Sequence, residues 1–223
     1  MPVGLSNYRR SIMARPKKTN CSDFATVKIE NAFWRLLEEE TFSDITVLRI
    51  SQESGVNRNS FYYHYEDMND LARKAFRNNA GPEVSKALFG VLFMSLQGEK
   101  TNLAKAIDPM LISHARKIML CAGSDSVFLN QMVHDLLKEI WLDELSIRED
   151  LLSPEEQLQI RLIFAGLVSV LGSPQVREEP GLMTKLAQTE LGETAIAALK
   201  TIAESQRDPK RYRYYLHQDQ TDR

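Results

Sequence analysis

From Ile29 onward the spacing of hydrophobic and polar positions describes helices almost without interruption. Ile29, Ala32, Phe33, Leu36 and Leu37 recur at i, i+3, i+4, i+7 and i+8, the buried stripe of a first helix. Order is expected to begin near Ser22, with Ser22 or Asp23 as the cap, and to fade at Glu40–Thr41. A second, short helix opens at Thr46 and turns Val47, Ile50 and Ser51 to one side. Gly55 ends it, because so sharp a turn needs a residue at positive φ. Asn57 caps a third helix, Arg58 to Tyr65, with Phe61, Tyr62 and Tyr65 directed inward. Asp67 caps a fourth, with Asp70 three residues on as an imperfect capping box and Leu71, Ala72, Ala75 and Phe76 as its apolar face.

Gly81-Pro82 breaks the pattern, and five longer helical stretches follow. Val84 to Ser95 forms one stripe, and Leu103 to His114 another that Pro109 kinks or restarts. Phe128 to Ile147 is long and broadly apolar. Ser153-Pro154-Glu155-Glu156 opens the next helix, with proline in its first turn and acids at the positive end of its dipole. It runs to Leu171, and Gly172-Ser-Pro stops it. A last helix is expected over Leu182–Ser205. Strand-like alternation is absent, so the fold class is all-α. The predicted organisation is a basic, flexible arm (1–22), a compact helical unit (23–79), a helical bundle (80–205) and a flexible tail (206–223).

Composition adds limits. With 223 residues, 43% hydrophobic and 26% charged, the chain is an ordinary globular protein able to bury a sizeable core. No apolar run reaches the ~18 residues of a membrane span, and the start has no secretory pattern. Cys21 and Cys121 lie far apart with no metal-finger spacing, and suit a reducing cytoplasm as inert thiols or as an oxidation sensor. A cytoplasmic protein without cofactor or metal is expected. Net charge is only −2, but Arg9, Arg10, Arg15, Lys17 and Lys18 fall in a segment with no acid. Such an arm either contacts phosphate or is a solvated tail. A start at Met13 would remove Arg9 and Arg10.

The candidate chemistry sits on the second and third helices. Two short helices joined by a glycine-containing turn are one way to present a helix to the DNA major groove. The first residues of the presented helix reach base edges, and here they are Arg58, Asn59 and Ser60, with Tyr63 one turn on. Arg can grip guanine and Asn adenine with paired hydrogen bonds, while Ser reads either. Thr46, Arg49, Tyr62 and His64 are placed for phosphates, which position without specifying, and Asn57 caps the reading helix. Lys17 and Lys18 would extend the phosphate contact from the arm. The plain alternative is a helical hairpin whose polar residues face water.

The string from Ile45 to Tyr65 resembles the DNA-binding domain of the TetR family of transcriptional regulators. Thr46, Val47, Ile50, Gly55, Val56, Tyr62, His64 and Leu71 match that family's pattern as they stand, and Ser51, Asn57, Ser60 and Tyr65 are near substitutes. The likeness covers roughly residues 24–78. It implies a homodimer on palindromic double-stranded operator DNA, a helical effector and dimerisation domain, and most often repression relieved by a ligand. Three positions depart from the pattern. Thr41 stands for the glycine after the first helix, Asn59 for a common glycine, and Met68 for a lysine aimed at phosphate.

The C-terminal half carries no such signature. Phe89, Phe93, Met110, His114, Phe128, Met132 and Trp141 could line a pocket for a small apolar or amphipathic effector, or be ordinary bundle core. His114 and His134 sit on different helices without a third ligand. With no nucleophile–base motif, P-loop or dinucleotide fingerprint, an enzyme is not expected. Leu162–Leu171 is apolar on more faces than one bundle absorbs. A dimer through Pro154–Leu171 and Leu182–Ser205 follows, with Val168 and Leu199 in the contact. The competing reading is a coactivator or partner-binding module that keeps the fold without reading bases. Met68 favours it; Arg58, Asn59 and the basic arm oppose it.

Overall fold

The computed structural model describes residues 18–79, 86–87, 89–90 and 109–207; at 18–23 and Met110 only the backbone is described. Every regular element among these residues is a helix, and no strand occurs among them. The first group is α1 (Lys18–Glu39), α2 (Val47–Ser54), α3 (Arg58–His64) and α4 (Met68–Asn79). The second is α5 (Pro109–Ala122), α6 (Val127–Glu144), a 3-10 turn (Glu149–Leu151), α7 (Pro154–Leu171), α8 (Pro174–Glu178), α9 (Gly181–Ala187) and α10 (Glu190–Gln206). The expected features at Lys17, Phe93 and residues 91–108, and the tail beyond Arg207, lie outside the described residues.

α1 supplies the spine of the N-terminal group. Its stripe Ile29, Phe33 and Leu36 is fully buried against Ile45 and Ile50, Phe61 and Tyr65, and Leu71, Ala75 and Phe76 of the next three helices. Local chemistry sets each boundary. Thr46 accepts from the Arg49 N–H to start α2, and Gly55 ends it in the left-handed region at φ 67°. Asn57 accepts from the Ser60 N–H to start α3. Asp67 accepts from the Asp70 N–H at 2.8 Å, but the returning bond runs from the Glu66 N–H to the Asp70 carboxylate at 3.1 Å. The capping box is therefore reciprocal one residue earlier than its usual form. A Cβ on Gly55 would meet no atom within 4 Å, so only its backbone angle demands glycine. Gly55→Ala is expected to destabilise the chain by about 1–2 kcal/mol in urea unfolding, and Gly55→Asn by less.

α1 starts at Lys18, four residues before the expected cap at Ser22. No glycine or proline stands between Lys18 and Ser22 to interrupt the helix there. Tyr62 is 59% exposed rather than inward. A helix as short as α3 buries one side, where Phe61 and Tyr65 lie one turn apart, and Tyr62 is rotated ~100° away from it. The Tyr65 hydroxyl donates to Glu30 Oε1 at 3.1 Å, and burial together with that carboxylate raises its pKa, so it remains a donor.

In the C-terminal group α5, α6 and α7 pack side by side, with α10 against α7. Ile118, Cys121, Leu129, Val133, Trp141, Ile160, Phe164 and Leu199 form the centre, and one apolar cluster runs from it into the N-terminal helices. Burial pushes the Cys121 thiol up to about 12, which favours the inert reading of that cysteine. α7 begins with the full capping box of Ser153 and Glu156. The single last helix expected over Leu182–Ser205 is instead α9 and α10 with a break at Gln188-Thr189. Thr189 caps α10 by accepting from the Gly192 N–H, with Glu190 and Glu193 in the first turn. Gly192 allows the two helices to cross closely, since a Cβ there would fall 2.4 Å from the Leu186 carbonyl oxygen. Val168 and Leu199 are 6% and 0% exposed within one chain, so they are core and not contact surface. α7 turns Leu158 and Leu162 outward instead, 65% and 76% exposed, and α10 presents Leu191 at 73%. No helix among the described residues is long and apolar enough to cross a membrane.

Candidate nucleic-acid interface

α3 is held from behind and open in front. Phe61 and Tyr65 anchor it in the core, and Lys74 of α4 donates to the His64 carbonyl at 2.9 Å, satisfying an orphan acceptor at its end. The opposite side presents Arg58, Asn59, Tyr62 and Tyr63, all exposed, Tyr63 at 80%. α3 itself carries no acid, and no carboxylate engages Arg58 among the described residues. This outward row offers a guanidinium, a carboxamide and two phenols on one rigid support. Ser60 is half-buried and its N–H is occupied by the Asn57 cap. His64 is half-buried, its ring edge-on to Tyr63 at 4.9 Å.

The residues expected at phosphates are distributed less evenly. Thr46 is exposed, but its hydroxyl already serves as the α2 cap. The Arg49 guanidinium forms a tight ion pair with Glu40, which keeps its pKa raised, so it reaches a phosphate only by leaving that carboxylate. Lys18 begins α1 with only its backbone described, and Lys17 precedes the described residues. Met68 is half-buried against the core and offers no charge.

A second feature lies in the C-terminal group: a cavity of about 780 Å³ between α5, α6, α7 and α9. Phe89, Leu111, Ile118, Met119, Leu137, Trp141, Leu167 and Met183 make it mainly apolar, with Glu38, Arg116, Arg177, Glu178 and Thr184 as polar members. The Phe89 and Trp141 rings meet edge to face at 4.8 Å. Of the seven side chains expected to line a pocket, Phe89 and Trp141 do so. His114, Phe128 and Met132 are not among its lining residues, while the Phe93 and Met110 side chains lie outside the described residues. Phe128 leaves the cavity because it stacks on Phe42 at the junction with the N-terminal helices. Sequence reading missed Thr184 and Met183 by merging α9 into α10, although Thr189 followed by two glutamates marks a helix start. Among the described residues no cluster of His, Cys, Asp and Glu is suited to a metal.

The two groups of helices meet through specific side chains. Lys117 of α5 donates to Asn79 Oδ1 at 2.6 Å and lies over the Trp34 ring, 5.2 Å from its centre. Burial lowers the pKa of this lysine, against the opposing pull of Glu30 and Glu38. No protein-family model matches the chain, and neither does any curated protein or solved structure.

Proposed function

We propose that this chain is a DNA-binding transcription regulator that acts as a homodimer and is controlled by a small molecule. The observation that carries the reading is the outward row of Arg58, Asn59, Tyr62 and Tyr63 on a capped helix anchored by Phe61 and Tyr65. A major groove ~12 Å wide admits one such helix, with Arg58, Asn59 and, one turn on, Tyr63 toward base edges and Tyr62 against the backbone. The likeness of residues 45–65 to the TetR pattern supports the same reading. Repression relieved by an effector is the form we favour, with the mainly apolar cavity as the site for an apolar or amphipathic ligand. The ligand releases DNA only if it binds the two conformations unequally. Reversing a 99:1 population needs roughly 5.5 kcal/mol of differential affinity.

A gel-shift titration of the full chain against genomic duplex fragments tests the DNA reading, and its salt dependence tests the arm. Removing residues 1–18 is expected to flatten the slope of log K against log salt by about 0.9 for each phosphate that the arm neutralises. An unchanged slope would leave the arm as a solvated tail. Failure to shift any fragment would favour the partner-binding alternative.

A further inference from the structure

The corner between α5 and α6 is built more firmly than a connection requires. Gly123 and Gly172 meet backbone to backbone: a Cβ on Gly123 would lie 2.4 Å from the Gly172 carbonyl oxygen, and one on Gly172 would lie 2.3 Å from that of Ala122. Ser126 caps α6 through the Leu129 N–H, while its own N–H donates to Ser124 Oγ at 3.1 Å. The Asn130 amide donates to the Ser124 and Ser126 carbonyls at 2.8 and 3.0 Å. The corner is thereby locked onto itself and onto the end of α7.

Two side chains reach from this base to the N-terminal helices. Asp125 accepts from the Phe42 N–H at 3.3 Å and from the Ser43 hydroxyl at 3.4 Å, both in the α1–α2 turn. The Phe128 ring stacks on Phe42, with centroids 6.5 Å apart and planes 22° from parallel. The Arg73 guanidinium of α4 sits 5.4 Å from the centre of the same ring. Phe42 in turn meets the buried Phe33 edge-on at 6.3 Å. Phe128 is thus gripped between the elements that flank α2 and α3, on a mount continuous with α7. Stacking and cation–π contacts are directional, so they fix an angle where aliphatic packing would allow sliding.

We propose that Phe128, assisted by Asp125, is a positioning residue that sets the tilt of α3 relative to α7 without touching DNA. The inference rests on the DNA-reading, dimeric function proposed above. Two reading helices must sit ~34–36 Å apart, or a multiple, to engage both half-sites. Phe128 therefore matters to DNA binding only where two half-sites are read together.

The test uses the full chain, a duplex recovered by the wild-type protein from a random pool, and a duplex carrying one of its half-sites. Phe128→Leu keeps an apolar side chain and removes the ring. It is expected to weaken full-site binding about tenfold and leave half-site binding within about twofold. Without DNA, it should accelerate amide hydrogen exchange over residues 40–46, and Phe128→Tyr should restore both readouts. Asp125→Asn should act in the same direction and more weakly. Unchanged exchange in Phe128→Leu would overturn the proposal whether or not DNA binds. So would equal weakening on full and half sites, or a tyrosine variant no better than leucine. If no duplex is ever recovered, the DNA reading fails, while exchange over 40–46 still decides whether Phe128 holds the turn.

Discussion

Arg58→Ala is expected to weaken binding of the dimer to its best duplex by about 2–6 kcal/mol, because a base interaction worth about 1–3 kcal/mol disappears from each of two half-sites. The guanidinium stands at the first position of α3, exposed and without a carboxylate partner among the described residues. It enters the groove without first breaking an ion pair. Preference at one base pair of each half-site should relax as affinity falls, and Asn59→Ala should do the same at a neighbouring base pair. Arg49→Ala makes the contrast. That guanidinium is already held by Glu40, so its removal should cost less and cost every sequence alike. Tyr62→Phe and His64→Ala should also act uniformly. Fluorescence anisotropy with single-base variants of one duplex, at fixed salt, separates the two patterns.

Leu162→Glu is expected to break the proposed dimer while leaving the fold of each chain intact. The physical reason is the division of α7 into two sides. Ile160, Phe164 and Val168 are buried one turn apart, whereas Leu158 and Leu162 face outward with Ala165 and Ser169 continuing their row. A two-fold contact places each substitution in the interface twice. An unpaired buried carboxylate costs about 3–5 kcal/mol, so the dissociation constant should rise by more than a hundredfold. Sedimentation at micromolar concentration would show monomers with an unchanged helical spectrum. Val168→Glu, by contrast, should unfold the chain, because Val168 belongs to its own core. A monomeric wild-type chain would remove the basis for this dimer.

The range of each interaction decides how far the sequence alone reveals it. Thr46, Gly55 and Asn57 act within a few residues of themselves, so their roles as cap, stop and cap are legible from residue type and spacing. The burial of Leu71, Ala72, Ala75 and Phe76 follows from helical period for the same reason. Tyr62 faces out against expectation because hydrophobicity does not reveal which side of a very short helix has room for a third large ring. Val168 and Leu199 are core against expectation because apolar character marks burial without saying whether the cover is the chain itself or a second copy. The Asp125 bond to the Phe42 N–H spans 83 positions, and no local signal announces it. Phe128 therefore resembles a pocket residue in sequence, since aromatic side chains at helical spacing look alike whether they line a cavity or join two groups of helices. The break before Thr189 is legible, and the apolar run through Leu191, Ala195 and Leu199 obscures it.

If α3 reads base sequence in duplex DNA with two-fold symmetry, selection by the full chain from a pool of random duplexes, at ~0.15 M salt, tests it most directly. The expected result is enrichment of a palindromic site with half-site centres ~34–36 Å apart or a modest multiple, and relaxed preference at one base pair per half-site with Arg58→Ala. A pool that emerges from repeated rounds without sequence enrichment, or a selected site whose preferences are untouched by Arg58→Ala and Asn59→Ala, would contradict it.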